Sequence, residues 1–274
     1  MEAHFVGNRR WWDERAPVHA AAASYQVDRL VAEPSALSQV VAFDSNRLGR
    51  LDGLDVVHLQ CHVGTDTVSL GRLGASSITG YDLSPASLAE AQVLADRCHQ
   101  RASWVEGNVY DAVELLGRRF DLVYTGIGAL NWLPDIRRWA EVIAALLVPG
   151  GRLFLREAHP MLNTLSNARP DRQLVVEYPY FEHSEPLRFD DPGTYAAAGH
   201  VFANAESYEW NHGLGETVQA LLDSGMRLTQ LVEHDSLPWV FLHGQMDSVG
   251  DGEHRISDRP NRVPHSFTLQ AIRC

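Results

Sequence analysis

The clearest change of hydrophobic pattern along the chain lies between residues 55 and 80. Residues 56–59 form an apolar, β-branched run that is too short for a helix and is typical of a buried parallel strand. Gly64 interrupts the run, and the apolar residues of 65–73 then follow helical spacing, with Thr65 or Asp66 expected to cap the first turn. A second strand is predicted at 78–82. The pattern therefore predicts a β-α-β unit.

The alternation of strand and helix patterns continues toward the C-terminus. Ser84 and Pro85 are typical of an N-cap and first helical residue, so they predict a helix that runs to Cys98. Further segments are predicted as strands at 104–105, 120–124 and 152–157, and as helices at 27–48 with a break near Pro34, after 110–111, and at 134–147. Five strands that alternate with helices favour a doubly wound α/β sheet.

Residues 159–204 are rich in Pro, Asp and aromatic residues and have no sustained period, which is typical of a lid or a substrate-binding insertion. A helix at 216–222 and strands at 228–232 and 267–272 are predicted beyond it. We divide the chain into a helical lead-in or cap (1–50), a cofactor-binding core (51–158), a lid insertion (159–204) and a segment that completes the sheet (205–274).

Composition narrows the possible partners. A net charge of −12 and a pI near 5.5 argue against a broad basic surface for nucleic acid or anionic membrane and favour a small uncharged or cationic substrate. The sequence has no long apolar run and no apolar signal-peptide core, so we expect a cytoplasmic protein that is a monomer or a homodimer. The widely spaced Cys61, Cys98 and Cys274 suggest neither a disulfide framework nor a zinc site.

Lysine is absent from the sequence, so all 23 basic residues are arginine. This excludes a P-loop, Schiff-base chemistry and the Tyr and Lys pair of short-chain dehydrogenases. The most informative polar residue is Asp82, which ends the second predicted strand. Its two carboxylate oxygens match the two hydroxyl groups of a ribose, which folds of this kind bind at that position; an ordinary loop acid is the alternative.

Several stretches together resemble the class I methyltransferases that use S-adenosylmethionine. They are VVHLQCHVG at the first strand, GYDLSP after the second, GNV after the third, FDLVYTGIGALNWLPD around the fourth and LLVPGGRLFLREAHP at the fifth. The segment HLQCHVGTDT resembles the first motif of one bacterial branch of this family, whose members are mostly uncharacterised. The resemblance implies a Rossmann-like sheet of about seven strands, mostly parallel with an antiparallel last strand, helices on both faces, and a lid insertion.

The resemblance also implies S-adenosylmethionine as cofactor, S-adenosylhomocysteine as product and a small-molecule acceptor. The residues that match the cofactor-binding positions of the family are Tyr25, Gln60, Cys61, His62, Gly64, Asp82, Leu83, Asn108, Val109, Thr125 and Gly126. The sequence departs from the family pattern at four of its motif positions: His58 replaces the usual acid, Gln60 and His62 replace two glycines, and Asn108 replaces a common Asp. Close backbone approach at Gln60 is possible if its φ is negative, and the His62 side chain must point away from the site or join it.

Methyl transfer requires a base only when the acceptor carries a proton. Glu157 and His159, just beyond the fifth strand, are the candidate bases, with a purely structural role as the alternative. His58, Cys61 and His62 are not expected to bind a metal, because neighbouring side chains of a strand point to opposite faces. A nicotinamide-dependent oxidoreductase and a non-catalytic protein that binds S-adenosylmethionine are the alternative functions.

Overall fold

A seven-stranded sheet forms the centre of the protein. The computed structural model describes residues 2–197 and 199–274, so Met1 and Ala198, the latter within the predicted insertion, lie outside the described residues. The strands are β1 (Asp55–Leu59), β2 (Ser77–Asp82), β3 (Ser103–Glu106), β4 (Phe120–Thr125), β5 (Leu147–Ala158), β6 (Leu187–Asp190), β7 (Glu206–Glu209), β8 (Met226–His234), β9 (Met246–Gly250), β10 (Glu253–Ile256) and β11 (Ser266–Arg273). The main sheet has the order β3-β2-β1-β4-β5-β11-β8.

Helices lie on both faces of this sheet. They are α1 (Glu2–Ala21), α2 (Val27–Ala32), α3 (Gln39–Leu48), α4 (Thr65–Arg72), α5 (Pro85–Arg97), α6 (Ala112–Leu116), α7 (Ile136–Leu146), α8 (Pro160–Asn163) and α9 (Leu214–Asp223). Short 3-10 helices occur at Ala23–Tyr25, Val109–Asp111, Leu130–Trp132 and Pro260–Arg262.

The predicted fold class is confirmed in its strand directions. β1 to β5 pair in parallel, and β11 pairs antiparallel with both β5 and β8. The sheet therefore has six parallel strands and one antiparallel strand, which is the last in sequence. The C-terminal ends of β1, β2, β4 and β5 lie at one edge, where polar ligands of such sheets bind.

Apolar side chains at alternate positions of the strands pack on opposite faces of the sheet. Val57 and Leu59 of β1 pack with Trp139 and Ile143 of α7 on one face. Val56, from the same strand, packs on the other face with α3 and α4. Because both faces are covered, the strands are apolar throughout, as buried parallel strands require.

The structure adds elements that the hydrophobic pattern did not predict. Within the predicted helical lead-in, a first helix already begins at Glu2, ahead of the helix predicted at 27–48. Two further pairs of strands are present, since β6 pairs antiparallel with β7 and β9 pairs antiparallel with β10. Gly64, in the left-handed conformation, precedes α4 and no side chain caps this helix, so the predicted cap at Thr65 or Asp66 is wrong.

The first helix packs directly against the far end of the insertion. The guanidinium of Arg15 is fully buried and donates hydrogen bonds of 2.9 to 3.2 Å to the carbonyl oxygens of Trp11, Asp191, Gly193 and Asn204. It also lies 3.6 Å from the ring centroid of Trp11 and 4.3 Å from that of Phe202. Three carbonyl acceptors and the ring of Phe202 therefore join α1 to residues 191–204.

Candidate functional site

The loop after β1 adopts the backbone conformation that glycine favours at three alternate positions. The φ angles are 55° at Gln60, 48° at His62 and 78° at Gly64. The condition of a negative φ at Gln60 is therefore not met. A Cβ on Gly64 would lie 2.7 Å from the Cβ of Ala91, so glycine is required there by packing as well as by φ. At Gln60 and His62 the positive φ is unfavourable by about 1 to 2 kcal/mol for each residue.

Two polar atoms at this edge of the sheet are buried without a hydrogen-bond partner among the described residues. They are Oε1 of Gln60, after β1, and Oγ1 of Thr125, the last residue of β4. The amide nitrogen of Gln60 donates 2.8 Å to the carbonyl oxygen of Ala129, which holds the side chain across the edge. An unpartnered buried acceptor is unfavourable by about 1 to 3 kcal/mol, so both atoms fit a site that a polar ligand completes.

The three possible metal ligands near β1 face different partners. Nδ1 of His58 lies 2.9 Å from Oγ1 of Thr67. Cys61 is buried, which raises the pKa of its thiol, and a Cβ on Gly80 would lie 3.0 Å from its sulfur. His62 turns toward α1 and α5. Among the described residues, no group of three or more His, Cys, Asp or Glu side chains could hold a metal ion.

Asp82 lies at the end of β2, as predicted. One carboxylate oxygen accepts 2.8 Å from the backbone N–H of His62, and the other accepts 2.8 Å from that of Ser84. Burial raises its pKa to about 6, while these backbone donors lower it. Asp82 thus joins the loop after β1 to the half-buried Leu83 and the start of α5, and a carboxylate retains further lone pairs for hydroxyl groups.

Asn108 and Val109 follow β3 and have separate surroundings. The side-chain oxygen of Asn108 accepts 3.1 Å from the N–H of Tyr110, and its carbonyl accepts 2.7 Å from the hydroxyl of Tyr81. The Asn108 amide therefore has its NH₂ group free of intramolecular contacts in the described part of the chain. Val109 is buried and belongs to the core, so only its backbone is placed to reach a ligand.

The carboxylate of Glu157 is surrounded by backbone N–H donors, which the sequence did not predict. Its buried carboxylate accepts hydrogen bonds of 2.6 to 2.8 Å from the backbone N–H groups of Gly128, Ala129, Leu130 and Ala158. Burial raises the pKa of Glu157, and the four donors lower it. The carboxylate thus fixes the loop after β4. Its lone pairs are occupied by these four donors, so none is left to take a proton from a methyl acceptor, which argues against the predicted role as a base.

His159 is also engaged on both ring nitrogens. Nδ1 accepts 3.1 Å from the N–H of Met161 and caps α8, while Nε2 lies 2.9 Å from Oε1 of Glu233. The side chain is buried, which lowers its pKa, although Glu233 raises it. Its Nε2 contact is with Glu233 of β8 and not with Glu157, so the geometry favours a structural role over that of a base.

Gly126 and Tyr25 complete the set of predicted residues. A Cβ on Gly126 would lie 3.0 Å from Oδ2 of Asp66, whose pKa burial raises to about 6. The hydroxyl of Tyr25 lies 2.5 Å from that of Tyr195 and 3.1 Å from Nδ1 of His19. Tyr25 therefore reaches both α1 and the insertion, and Asp66 is a site residue that sequence reasoning considered only as a helix cap.

Helix α1 supplies further contacts that the sequence analysis missed. The carboxylate of Asp13 accepts 2.6 Å from the hydroxyl of Ser84, and the ring of Trp12 lies 4.7 Å from that of His62 and 5.1 Å from that of Trp132. Trp12 and His19 are seven residues apart, which places both on the same face of a helix. Helical spacing within the lead-in could therefore have identified this face.

No helix among the described residues has both the length and the apolar character needed to span a bilayer. Residues 57–153 match the family model described as "Methyltransferase domain". No curated protein sequence matches this chain. The matched residues run from β1 to β5 and therefore include every strand end of the candidate site except the end of β5.

Solved structures with the same fold cover most of the chain. An S-adenosylmethionine-dependent methyltransferase from Mesorhizobium loti has a TM-score of 0.59 and 20% identity, covering 86% of this chain and 98% of its own. One from Clostridium acetobutylicum has a TM-score of 0.54 and 12% identity, covering 86% and 89%. The DhpI–SAH complex has a TM-score of 0.57 and 15% identity, covering 99% and 97%.

These similarities agree with the residues at the strand ends and confirm the predicted resemblance at the level of domain and fold. The particular bacterial branch stays a prediction. Residues 57–153 thus resemble a methyltransferase domain, and the chain has the fold of the S-adenosylmethionine-dependent methyltransferases.

Proposed function

We propose that this protein transfers a methyl group from S-adenosylmethionine to a small-molecule acceptor. The observation that carries the proposal is the meeting of three strand ends. The left-handed loop at Gln60 to Gly64 is bonded to the Asp82 carboxylate after β2 and, through Gln60, to the loop after β4. The methyltransferase-domain match over residues 57–153 and the bound product in a similar structure support the same cofactor.

The residues present fit this cofactor. Asp82 would bind the ribose hydroxyl groups, and Asn108 would bind the adenine, with Leu83 and Val109 beside it. The unpartnered oxygens of Gln60 and Thr125 would meet the amino acid end, as would the backbone at Cys61, His62, Gly64 and Gly126. The cofactor supplies a methyl group on a positively charged sulfur. The task of the protein is to align that methyl with the acceptor and to exclude water.

We further propose that α1 and residues 191–197 and 199–209, which we call the roof, cover the acceptor side of this site. The roof reaches Ser84, the N-cap of α5, through Asp13, and it reaches the loop after β1 through Trp12. Trp132, Tyr195 and Trp239 add aromatic surface near the loop after β4. This aromatic content, with the acidic charge of the chain, favours an apolar or aromatic acceptor over an anionic polymer.

Neither Glu157 nor His159 is free to accept a proton in this arrangement. Glu157 instead holds the loop that contains Gly128 to Leu130, and we assign it a positioning role. Methyl transfer then depends mainly on proximity and alignment, which can supply a large part of the rate. A nicotinamide-dependent oxidoreductase is disfavoured, because the first loop lacks the glycine-rich fingerprint and the chain has no lysine.

The test is a transfer assay with methyl-labelled S-adenosylmethionine and a fractionated pool of metabolites. We expect label to appear in one or a few small molecules, with S-adenosylhomocysteine formed in equal amount. Cofactor binding without label transfer to any fraction would support the non-catalytic alternative. Absence of both binding and transfer would contradict the proposal.

A further inference from the structure

A continuous line of hydrogen bonds crosses from the insertion to α5 through two histidines. Oγ1 of Thr194 lies 2.6 Å from Nε2 of His19, Nδ1 of His19 lies 3.0 Å from Nε2 of His62, and Nδ1 of His62 lies 3.1 Å from Oγ of Ser87. His19 belongs to α1 and is fully buried, whereas His62 belongs to the loop after β1. The line therefore connects the roof to the candidate cofactor loop.

The number of protons that this line can hold follows from its geometry. A neutral imidazole has one donor and one acceptor nitrogen, so two neutral rings form a directed chain between the two hydroxyl groups. One added proton can still be accommodated, because only one hydrogen then lies between the rings. Two added protons would place N–H groups face to face at a nitrogen separation of 3.0 Å. The closed arrangement therefore excludes the doubly protonated pair.

The surroundings of the pair also disfavour positive charge. Burial, together with the nearby Arg15, lowers the pKa of His19 to about 4; burial and His19 lower the pKa of His62. The other groups that face the pair are the hydroxyls of Tyr25 and Tyr195 and the ring of Trp12. Asp82 contacts only the backbone of His62, and Asp66 lies nearer to Tyr25. Among the described residues, no carboxylate forms an ion pair with either ring.

We propose that His19 and His62 are positioning residues whose neutral imidazole pair fastens the roof over the cofactor loop. The inference rests on the proposed function and adds the means by which the site closes. It also gives a reason for the histidine at a strained position. The ring of His62 supplies the contact with α1, which a glycine at this position could not make.

The expected consequence is a pH dependence of cofactor binding. When the roof opens, water reaches the histidines, and their pKa returns toward the ordinary value of about 6.5. The closed form has lower pKa values and binds fewer protons, so closure is favoured above pH 6.5 and weakens as pH falls below it. At pH 5.5, affinity should fall about tenfold if one proton must leave and up to about a hundredfold if two must leave.

The test measures calorimetric binding of S-adenosylhomocysteine at pH 7.5, 6.5 and 5.5 in buffers of different ionisation enthalpy. S-adenosylhomocysteine has no charge on sulfur and requires no acceptor. The variants are His62→Gly, which suits the positive φ and removes the ring, and His19→Gln. His243→Gln, an exposed loop position, is the matched control. Asp82 and Asp66, each with a pKa of about 6, titrate in wild type and in all three variants, so they set the background pH dependence of binding against which the histidines are compared.

Wild type and the control should lose about tenfold more affinity between pH 7.5 and 5.5 than either variant, and they should release more protons on binding at pH 6 than either variant does. Equal pH dependence and equal proton release in wild type and His62→Gly would overturn the inference while leaving the proposed function intact. No binding by wild type at any pH would overturn the proposed function and the inference with it. If His19→Gln does not fold, the glycine variant decides alone.

Discussion

The carboxylate of Asp82 accepts a 2.8 Å hydrogen bond from the backbone N–H of His62, which joins the ends of β2 and β1 across the edge of the sheet. The same carboxylate accepts from Ser84, the N-cap of α5. One side chain thus fixes the relative positions of a strained loop and a helix start. This relationship makes Asp82 the residue on which the candidate cofactor site depends most.

Replacement of Asp82 by alanine should weaken binding of S-adenosylhomocysteine by about five- to thirtyfold, or about 1 to 2 kcal/mol, because its hydrogen-bond partners are left unmatched. Calorimetry at pH 7.5 measures the effect, and thermal unfolding checks that the variant is folded. Asp96→Ala, an exposed acid in α5, should bind as wild type does. Unchanged affinity in the Asp82 variant would remove this residue from the site.

Arg15→Met should destabilise the packing of α1 on residues 191–204. Four carbonyl oxygens would lose a charged donor, so we expect a loss of about 3 kcal/mol or more in the free energy of unfolding. Chemical denaturation measures the loss, and limited proteolysis should show faster cleavage within residues 191–204. Arg10→Met changes an exposed arginine of the same helix and should have little effect. Similar stability in both variants would mean that Arg15 does not hold the roof.

His159→Ala should affect stability more than turnover. The loss of an N-cap contact and of the Glu233 partner predicts a destabilisation of about 1 kcal/mol, and His159→Asn should restore part of it because Asn is a good N-cap. Once an acceptor is known, turnover should stay within a few fold of wild type. A hundredfold loss of turnover in the folded variant would instead restore the role of base that the sequence suggested.

His58 should make the protein less stable in acid. Burial lowers the pKa of His58 to about 3, against an ordinary value of 6.5, so below pH 6.5 the unfolded chain binds a proton that the folded chain does not. Between pH 7 and 5, wild type should therefore lose about 2 kcal/mol more unfolding free energy than His58→Asn. Denaturant titrations of both proteins at the two pH values measure the difference, and equal losses would refute a buried neutral His58.

The sequence predicted the sheet well because its strands and helices have strong, local signals. The run at 56–59, the cap at Ser84 and the amphipathic helix α7 each follow from neighbouring residues, and the strand ends then place Asp82 and Thr125 at one edge. The backbone of Gln60 could not be predicted in this way. Its positive φ results from the bonds of the whole loop, whereas the residue type alone favours a negative angle.

The missed contacts have large sequence separations. Ser84 meets Asp13 from 71 residues away, and His19 meets Thr194 from 175 residues away, so no local period could reveal either pair. The contacts of Glu157 escaped prediction for a related reason. An acid at the end of a strand is a candidate base only if its oxygens are free, and the donors that occupy them come from the loop after β4.

The most direct test of the account is an equilibrium titration of the purified protein with S-adenosylmethionine, S-adenosylhomocysteine and NAD. We predict one site per chain for S-adenosylmethionine, with a dissociation constant between about 1 μM and 1 mM, the range in which substrate constants of enzymes commonly lie. S-adenosylhomocysteine should compete for this site and NAD should not. No binding of S-adenosylmethionine at millimolar concentration, or binding of NAD in its place, would contradict the account.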